Sequence, residues 1–151
     1  MRHLLSYSIL AVSLAGLASC RGDAAGPLPA FNLAVETDKP QYSLATDTIA
    51  LVSLTNRSDR DVYLPMDVYV VCERLRDGSW TDSFPWFSVD GVTRSFPLRP
   101  GSTLTDKLQL WFYLPNRPGT YRVRYFVYAD ADVQTLVPLE ERVSAAFILT
   151  P

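Results

Sequence analysis

Residues 118–127 read PGTYRVRYFV, and this stretch decides the fold class. A Pro-Gly turn is followed by strict alternation of apolar and polar side chains, which is the period of two typical of a β-strand with one buried face. We therefore predict a strand in which Arg122 and Arg124 face solvent. Its core-facing side chains are predicted to be Tyr121, Val123, Tyr125 and Val127.

Similar runs recur along the chain, separated by residues that favour turns. Asp77-Gly78 follows one such run and is a strong two-residue hairpin signal. The run 48–56 is rich in β-branched residues, but its apolar phase slips after Leu51, which predicts a β-bulge or burial on both faces. No stretch after the N-terminal segment carries a 3.6-residue apolar repeat. The sequence therefore predicts an all-β fold, an antiparallel β-sandwich of about seven strands. The other predicted strands are 31–36, 61–64, 68–75, 79–81, 103–112 and 143–149.

Four short motifs carry a resemblance to a known class of domain. They are TDKPQY at 37–42, DTI at 47–49, LTN at 54–56 and PGTYRV at 118–123. Together they resemble the immunoglobulin-like domains of bacterial surface proteins, including macroglobulin-type modules and proteinase-inhibitor-like lipoprotein domains, although Thr46 stands where those domains usually have Gly. The resemblance covers about residues 37–149. It implies an immunoglobulin-like sandwich in which the hydroxyl of Tyr121 ties a sheet edge to the loop before it, and it implies no single activity.

The N-terminal segment indicates export. Arg2 and His3 precede an apolar run over 4–18 that is shorter than the roughly 20 residues of a membrane-spanning helix. The following Leu-Ala-Ser-Cys at 17–20 resembles the lipobox of bacterial lipoproteins. That resemblance implies cleavage before Cys20 and acylation of the Cys20 sulfur, with several acyl chains giving durable membrane anchoring.

The predicted organisation has three parts. Residues 1–19 are a signal peptide, 20–30 are the lipidated cysteine and a flexible tether, and 31–151 are the sandwich domain. The predicted location is the bacterial cell envelope, with the lipid anchoring the domain to a membrane. Arg21 after the cysteine favours the outer membrane, on its periplasmic or surface face, in an organism that has one.

Composition predicts what the domain does not do. The net charge of −2 gives no cationic field, so no nucleic-acid partner is expected. His3 is the only histidine and leaves with the signal, so we expect no enzyme, no catalytic residue, no metal site and no cofactor.

Cys72 lies in a strand-like run and is expected to be a buried, inert thiol. The acidic residues Asp130 and Asp132, with Glu140 and Glu141 further on, are expected to form a solvated loop and not a calcium site.

An aromatic segment between predicted strands is the candidate binding site. Aromatic residues in a loop form an exposed recognition surface, cap the open end of the sandwich, or form an extra hairpin. The candidate residues are Trp80, Phe84, Trp86 and Phe87.

The leading hypothesis for function is a lipid-anchored, non-enzymatic module that binds or assembles a protein or glycan partner at the envelope. The alternative is an inhibitor of a secreted or periplasmic protease, acting through an exposed loop such as 116–118 or the segment that begins at Trp80.

Overall fold

The computed structural model describes residues 30–82, 94–110 and 117–151. The predicted signal peptide, the lipidated Cys20 and all but the last residue of the predicted tether lie outside these residues. Within them, no helix is long and apolar enough to cross a bilayer. Ten strands and one short 3-10 helix (Leu139–Glu141) are present in the described part of the chain. The strands are β1 (Leu33–Thr37), β2 (Gln41–Ser43), β3 (Ile49–Asn56), β4 (Val62–Pro65), β5 (Val70–Arg76), β6 (Ser79–Asp82), β7 (Ser95–Leu98), β8 (Thr103–Gln109), β9 (Gly119–Tyr125) and β10 (Phe147–Thr150).

The strands form three sheets. Their orders are β1-β3-β8, β2-β10-β9-β5-β6 and β4-β7. The all-β prediction is confirmed, and the neighbouring strands are antiparallel as predicted, except that β2 and β10 are parallel. Only the segment 38–40 separates β1 from β2, yet the two strands belong to different sheets. The chain therefore crosses between sheets there, and β2 meets β10 in the parallel sense.

The strand count differs from the prediction of about seven. Two of the strands, β2 and β7, span three and four residues and are too short to show alternation in the sequence. The predicted last strand began at Val143, but β10 begins at Phe147, and Val143 makes only an isolated bridge to Arg124. Short elements of this kind form because neighbouring strands offer backbone hydrogen bonds, so no local sequence pattern reveals them.

The three sheets share one hydrophobic core. All four predicted core residues of β9 and its extension are buried, with at most 1% of their surface exposed, which confirms the predicted phase. Burying a side chain of this size stabilises the fold by about 1.5–3 kcal/mol. These side chains are Tyr121, Val123, Tyr125 and Val127.

Strand β3 is regular, and the predicted bulge or two-sided burial is wrong. Its pairing with β1 and β8 runs without interruption, and its burial alternates along the whole strand. Val52 and Leu54 face the core, whereas Ile49 and Leu51 face solvent. Because β3 is paired on both sides, its ladder accommodates no extra residue, and the two outward apolar side chains account for the apparent phase slip.

The motif at 37–42 forms the connection between the sheets. The hydroxyl of Tyr42 donates a hydrogen bond of 2.6 Å to the carboxylate of Asp38. Nearby, Asp47 accepts hydrogen bonds from the Lys39 ammonium at 2.6 Å and from the backbone N–H of Ser43 at 2.8 Å. The polar residues of this motif therefore brace a crossover.

The motif at 54–56 ends in a buried amide. Asn56 is fully buried, and its side-chain N–H₂ donates hydrogen bonds of 2.8 Å to the carbonyl oxygens of Arg60 and Leu98. Its side-chain oxygen accepts from the backbone N–H of Ser58 at 3.0 Å. Asn56 therefore holds the turn after β3 against the end of β7.

The predicted hairpin is confirmed as β5 and β6. Asp77 and Gly78 connect the two strands with φ values of 49° and 80°. Positive φ at both central residues matches the right-handed twist of the strands, and glycine adopts it without steric cost. The hairpin places β6 at the edge of the five-stranded sheet.

Candidate functional site

Of the four predicted binding residues, the structure places Trp80. It lies in β6, paired with Leu75 of β5, and its side chain is half-buried. Leu75 is out of phase with the core residue Cys72, so Trp80 and Leu75 lie on the outer face of the sheet, away from the core. Trp80 is therefore part of the hairpin and does not cap the core. Phe84, Trp86 and Phe87 lie outside the described residues.

A row of side chains crosses the outer face of the five-stranded sheet from Trp80. Strand β5 pairs with β9 so that Leu75 lies beside Thr120, Thr120 pairs with Ile148 of β10, and Ile148 pairs with Gln41 of β2. Leu75 is 38% exposed and Ile148 is 49% exposed. The register thus aligns an aromatic ring and two exposed apolar side chains across five strands. We call this set the Trp80 row: Gln41, Leu75, Trp80, Thr120 and Ile148.

A charged cluster lies next to the Trp80 row on the same face. The Glu73 carboxylate accepts a hydrogen bond from Nε of Arg122 at 2.5 Å and another from Nε of Arg124 at 2.7 Å. All three side chains are largely buried, so the prediction that both arginines face solvent is wrong. Alternation placed them on the outer face correctly, but their partner comes from β5, about 50 residues earlier in the sequence. Removing Glu73 would leave two poorly hydrated guanidinium groups together, a loss that costs about 3–5 kcal/mol.

The same two arginines cover aromatic rings. The Arg122 guanidinium lies 4.5 Å from the centre of the Trp80 ring, and that of Arg124 lies 4.7 Å from the centre of the Phe126 ring. Such stacking contributes about 0.5–2 kcal/mol, more where water is excluded. Because Glu73 fixes Arg122, and Arg122 covers one face of Trp80, the indole is held in one position.

The thiol of Cys72 is buried, as predicted. Only 2% of Cys72 is exposed, and burial raises the pKa of its thiol to about 12. A thiol with so high a pKa carries almost no thiolate at neutral pH. Its place in the core makes Cys72 a packing residue.

The acidic segment after β9 uses its oxygens on its own backbone. The Asp130 carboxylate accepts hydrogen bonds from the backbone N–H groups of Gln134, at 3.0 Å, and Thr135, at 2.8 Å. These bonds, that from Gln134 first, hold the pKa of Asp130 below its usual value. Within the described ranges, no group of three or more His, Cys, Asp or Glu side chains is placed to hold a metal ion.

Glu141 also serves the fold. One of its carboxylate oxygens accepts hydrogen bonds from the backbone N–H groups of Phe31, at 2.7 Å, and Asn32, at 2.5 Å. The 3-10 helix thereby fixes the point at which the chain enters β1.

Glu73 and Asp106 are carboxylates with structural roles that the sequence analysis did not single out. Asp106 lies in β8 and accepts hydrogen bonds from the hydroxyls of Tyr69, at 2.9 Å, and Tyr125, at 2.8 Å. Burial and the neighbouring Asp106 carboxylate raise the pKa of Tyr125, so its hydroxyl stays a donor. The signal in the sequence is that Asp106 shares the inward parity of Leu104 and Leu108 in an alternating strand.

A small cleft adjoins Asp106. It has a volume of about 180 Å³ and is lined by Asp67, Val68 and Lys107 among others. The cleft is smaller than the sites of small organic ligands, which measure about 300–1,000 Å³.

The two oxygens of Asp106 are both bonded to tyrosine hydroxyls, so Asp106 braces one sheet against the other.

Comparison with known proteins places the chain in no family. No protein-family profile matches the chain, and no curated protein matches it. Among solved structures it is similar to a Pseudomonas fluorescens alkylpurine DNA glycosylase, AlkC, bound to DNA containing an abasic site analog, with a TM-score of 0.40 and 11% sequence identity over 80% of this chain. The chain spans 31% of the length of that glycosylase.

This comparison corrects two expectations from composition. We expected no enzyme and no nucleic-acid partner, whereas the similar structure is an enzyme on DNA, so both exclusions are withdrawn. The lack of histidine after the predicted signal peptide excludes only one kind of general base. Net charge is a sum over the chain, so a chain with negative net charge can still carry a local cluster of arginines. A likeness at a TM-score of 0.40 carries no argument for activity, so neither glycosylase activity nor DNA binding is assigned to the chain.

Proposed function

We propose that this protein is a lipid-anchored module of the bacterial cell envelope that binds a protein partner through the Trp80 row. The anchor rests on the sequence: the Leu-Ala-Ser-Cys motif at 17–20 predicts acylation of Cys20. A lipid on Cys20 would leave the sandwich domain at the membrane surface, because the tether to residue 30 spans at most about 35 Å.

An immunoglobulin-like topology is part of the proposal. The order β1-β3-β8 corresponds to strands A-B-E of that fold, and β10-β9-β5-β6 corresponds to G-F-C-C′. The hydroxyl of Tyr121, at the start of β9, donates to the carbonyl of Arg117, as in the tyrosine corner before strand F. Both observations support the resemblance drawn from the sequence motifs.

The observation that carries the binding proposal is the composition of the Trp80 row. A tryptophan held by a guanidinium is aligned with the exposed Leu75 and Ile148 on the outer face of the sheet. Protein interfaces concentrate their binding energy in a few aromatic and arginine residues that are fixed in advance and surrounded by apolar contacts. The row and the adjoining Arg122 supply these components.

The geometry favours a protein over a glycan. Sugar rings stack on an open aromatic face, but Arg122 already covers one face of the Trp80 ring. A glycan partner is therefore one of the results of the crosslinking test below that would contradict the proposal.

The alternative of protease inhibition receives no support from the described residues. Asn116 and most of the segment after Trp80 lie outside them. The carbonyl oxygen of Arg117 accepts the Tyr121 hydroxyl at 2.6 Å, so this end of the loop is tied to the fold. Inhibition remains a prediction from the sequence resemblance.

Site-specific photo-crosslinking in cells tests the proposal. A photoreactive phenylalanine analogue replaces Ile148 in one variant and Ile49 in a matched control, because both isoleucines are exposed outer-face strand residues, at 49% and 41%. We expect a discrete heavier protein species from position 148 only. Equal crosslinking at both positions, or a species that a glycosidase digests, would contradict the proposal.

The partner identified in this way then allows an affinity measurement. Trp80→Ala is expected to weaken binding by at least tenfold, about 1.4 kcal/mol. Ile148→Glu is expected to weaken it similarly, and Ile49→Glu is expected to leave it unchanged. Unchanged binding by both row variants, with their melting temperatures maintained, would remove the Trp80 row from the interface.

A further inference from the structure

Three arginines gather at one end of the five-stranded sheet. Arg74 and Arg76 come from the end of β5, and Arg117 immediately precedes the Pro-Gly turn into β9. Arg76 and Arg117 are exposed, and Arg74 is half-buried. We call these three residues the arginine pole.

Arg74 is fixed against the turn. Its Nη2 donates a hydrogen bond of 2.8 Å to the carbonyl oxygen of Pro118, and its guanidinium lies 5.9 Å from the centre of the Tyr121 ring. A Cβ at Gly119 would lie only 3.0 Å from Nε of Arg74, so the lack of a side chain at Gly119 leaves room for the guanidinium group. Nε itself is buried and has no hydrogen-bond acceptor among the residues that the structure describes.

The charge of the arginine pole is not compensated within the described residues. There, none of the carboxylates lies within ion-pair distance of Arg74, Arg76 or Arg117. Asp77 is adjacent to Arg76 in the sequence but forms no ion pair with it in this part of the chain. By contrast, Arg122 and Arg124 share Glu73 on the same sheet. Within the described residues, one carboxylate thus partners Arg122 and Arg124, whereas the arginine pole has none and is open to an external anion.

We propose that the arginine pole is a binding site for a short acidic segment of a polypeptide. Arg74 and Arg76 are two residues apart on one strand, so their backbone positions are separated by about 6.7 Å. Carboxylates at alternate positions of an extended peptide have the same spacing. A guanidinium pairs with a carboxylate through two parallel hydrogen bonds, which makes arginine suited to such pairing.

The arginine pole is separate from the Trp80 row. Arg74 and Leu75 are neighbours on β5 and point to opposite faces of the sheet, so the arginines and the row are on different surfaces. The two proposals therefore fail or succeed independently. The chain has a net charge of −2, yet three arginines lie together with no ion pair to any described residue. This arrangement fits a local contact with a short acidic stretch.

Binding of a labelled poly-L-glutamate of about twenty residues to the detergent-solubilised full chain tests the inference at low ionic strength. Arg76→Glu combined with Arg117→Glu is expected to weaken binding at least about tenfold, because it replaces attraction by repulsion. The matched control is Arg94→Glu combined with Arg99→Glu, which changes the net charge equally at two exposed arginines flanking β7. We expect the control and Ile148→Glu to bind as the parent does.

The outcomes that overturn the inference are distinct. Equal weakening in the control pair would show a general charge effect, and binding by neither parent nor variant would show that the pole takes no acidic peptide. Tighter binding of inorganic polyphosphate, or of vesicles containing anionic phospholipid, would identify another class of anion. Should the charge-reversed pair unfold, Arg76→Gln with Arg117→Gln is expected to show a smaller loss in the same direction, and no loss would refute the site.

Discussion

The hydroxyl of Tyr121 donates a hydrogen bond of 2.6 Å to the carbonyl oxygen of Arg117, four residues earlier in the chain. The ring of Tyr121 is buried in the core while its hydroxyl reaches the surface turn. This bond joins the start of β9 to the preceding loop, and it was expected from the Pro-Gly-Thr-Tyr motif at 118–121.

Tyr121→Phe is expected to lower the free energy of unfolding by about 1 kcal/mol, because the variant keeps the ring but leaves the Arg117 carbonyl without its donor. Denaturant unfolding measures this difference. Tyr63→Phe is the control, since the hydroxyl of Tyr63 makes no hydrogen bond to the described residues. Equal stability of the two variants would show that the corner contributes nothing.

Cys72 is expected to resist alkylation in the folded state. With a pKa of about 12, only about one thiol in 10⁴ is ionised at pH 8, and burial blocks access as well. In a Cys20→Ala background, Cys72 is the one remaining cysteine of the chain. A bulky maleimide should label it only at the rate of global unfolding, and fast labelling of the native protein would contradict its burial.

The crossover between sheets is expected to weaken in acid through Asp47. Its hydrogen bond from Lys39, followed by that from the backbone of Ser43, holds the pKa of Asp47 below its usual value, and the same bond raises the pKa of Lys39. A carboxyl with a lowered folded pKa stabilises the fold above its unfolded pKa, near 4, and this stabilisation is lost as pH falls through the folded value.

Asp47→Asn should therefore unfold more readily than the parent between about pH 5 and 8, and the two proteins should converge as the pH falls below the lowered folded pKa of Asp47. At the alkaline limit the Lys39 contribution is lost as pH rises through its raised pKa. Asp59→Asn is the control, because it removes the same charge from a side chain that is 96% exposed. We expect it to unfold as the parent does. A constant gap between parent and Asp47→Asn down to the lowest pH would refute the assignment.

Cys20→Ala is expected to release the protein from the membrane. The lipobox-like motif predicts that the acyl chains on Cys20 supply the anchoring, and each buried CH₂ contributes about 0.8 kcal/mol. Detergent-free fractionation measures the distribution of parent and variant. The anchor prediction is wrong if the variant sediments with membranes as fully as the parent does.

Features encoded by neighbouring residues could be predicted from the sequence. The alternation around Tyr121 gave the buried face of β9, and Asp77-Gly78 gave the hairpin that presents Trp80. In each case the physical cause, a period of two or a positive φ, lies within a few residues.

Features set by distant pairing could not be predicted. Arg122 and Arg124 were placed on the correct face, but Glu73, which lies on a strand far away in sequence, converts them from solvated charges to a largely buried cluster. The Trp80 row likewise depends on the register of five strands. Ile148 belongs to the row because it pairs with Thr120, and nothing near Ile148 in the sequence indicates that pairing. Register depends on how the faces of several strands are buried together, which the local pattern of a single strand does not show.

The parallel pairing of β2 with β10 has a kinetic consequence. The hydroxyl of Thr150 donates to the carbonyl of Tyr42, 108 positions earlier in the chain, and β10 separates β2 from β9. The entropy of closing so long a loop is lost before its contacts form, and domains rich in such contacts fold in milliseconds to seconds. Strand β2 lies at the edge of its sheet and pairs there with β10. We therefore expect the pairing of β2 with β10 to form late in folding, and we expect hydrogen exchange to detect its opening before that of β5 and β9.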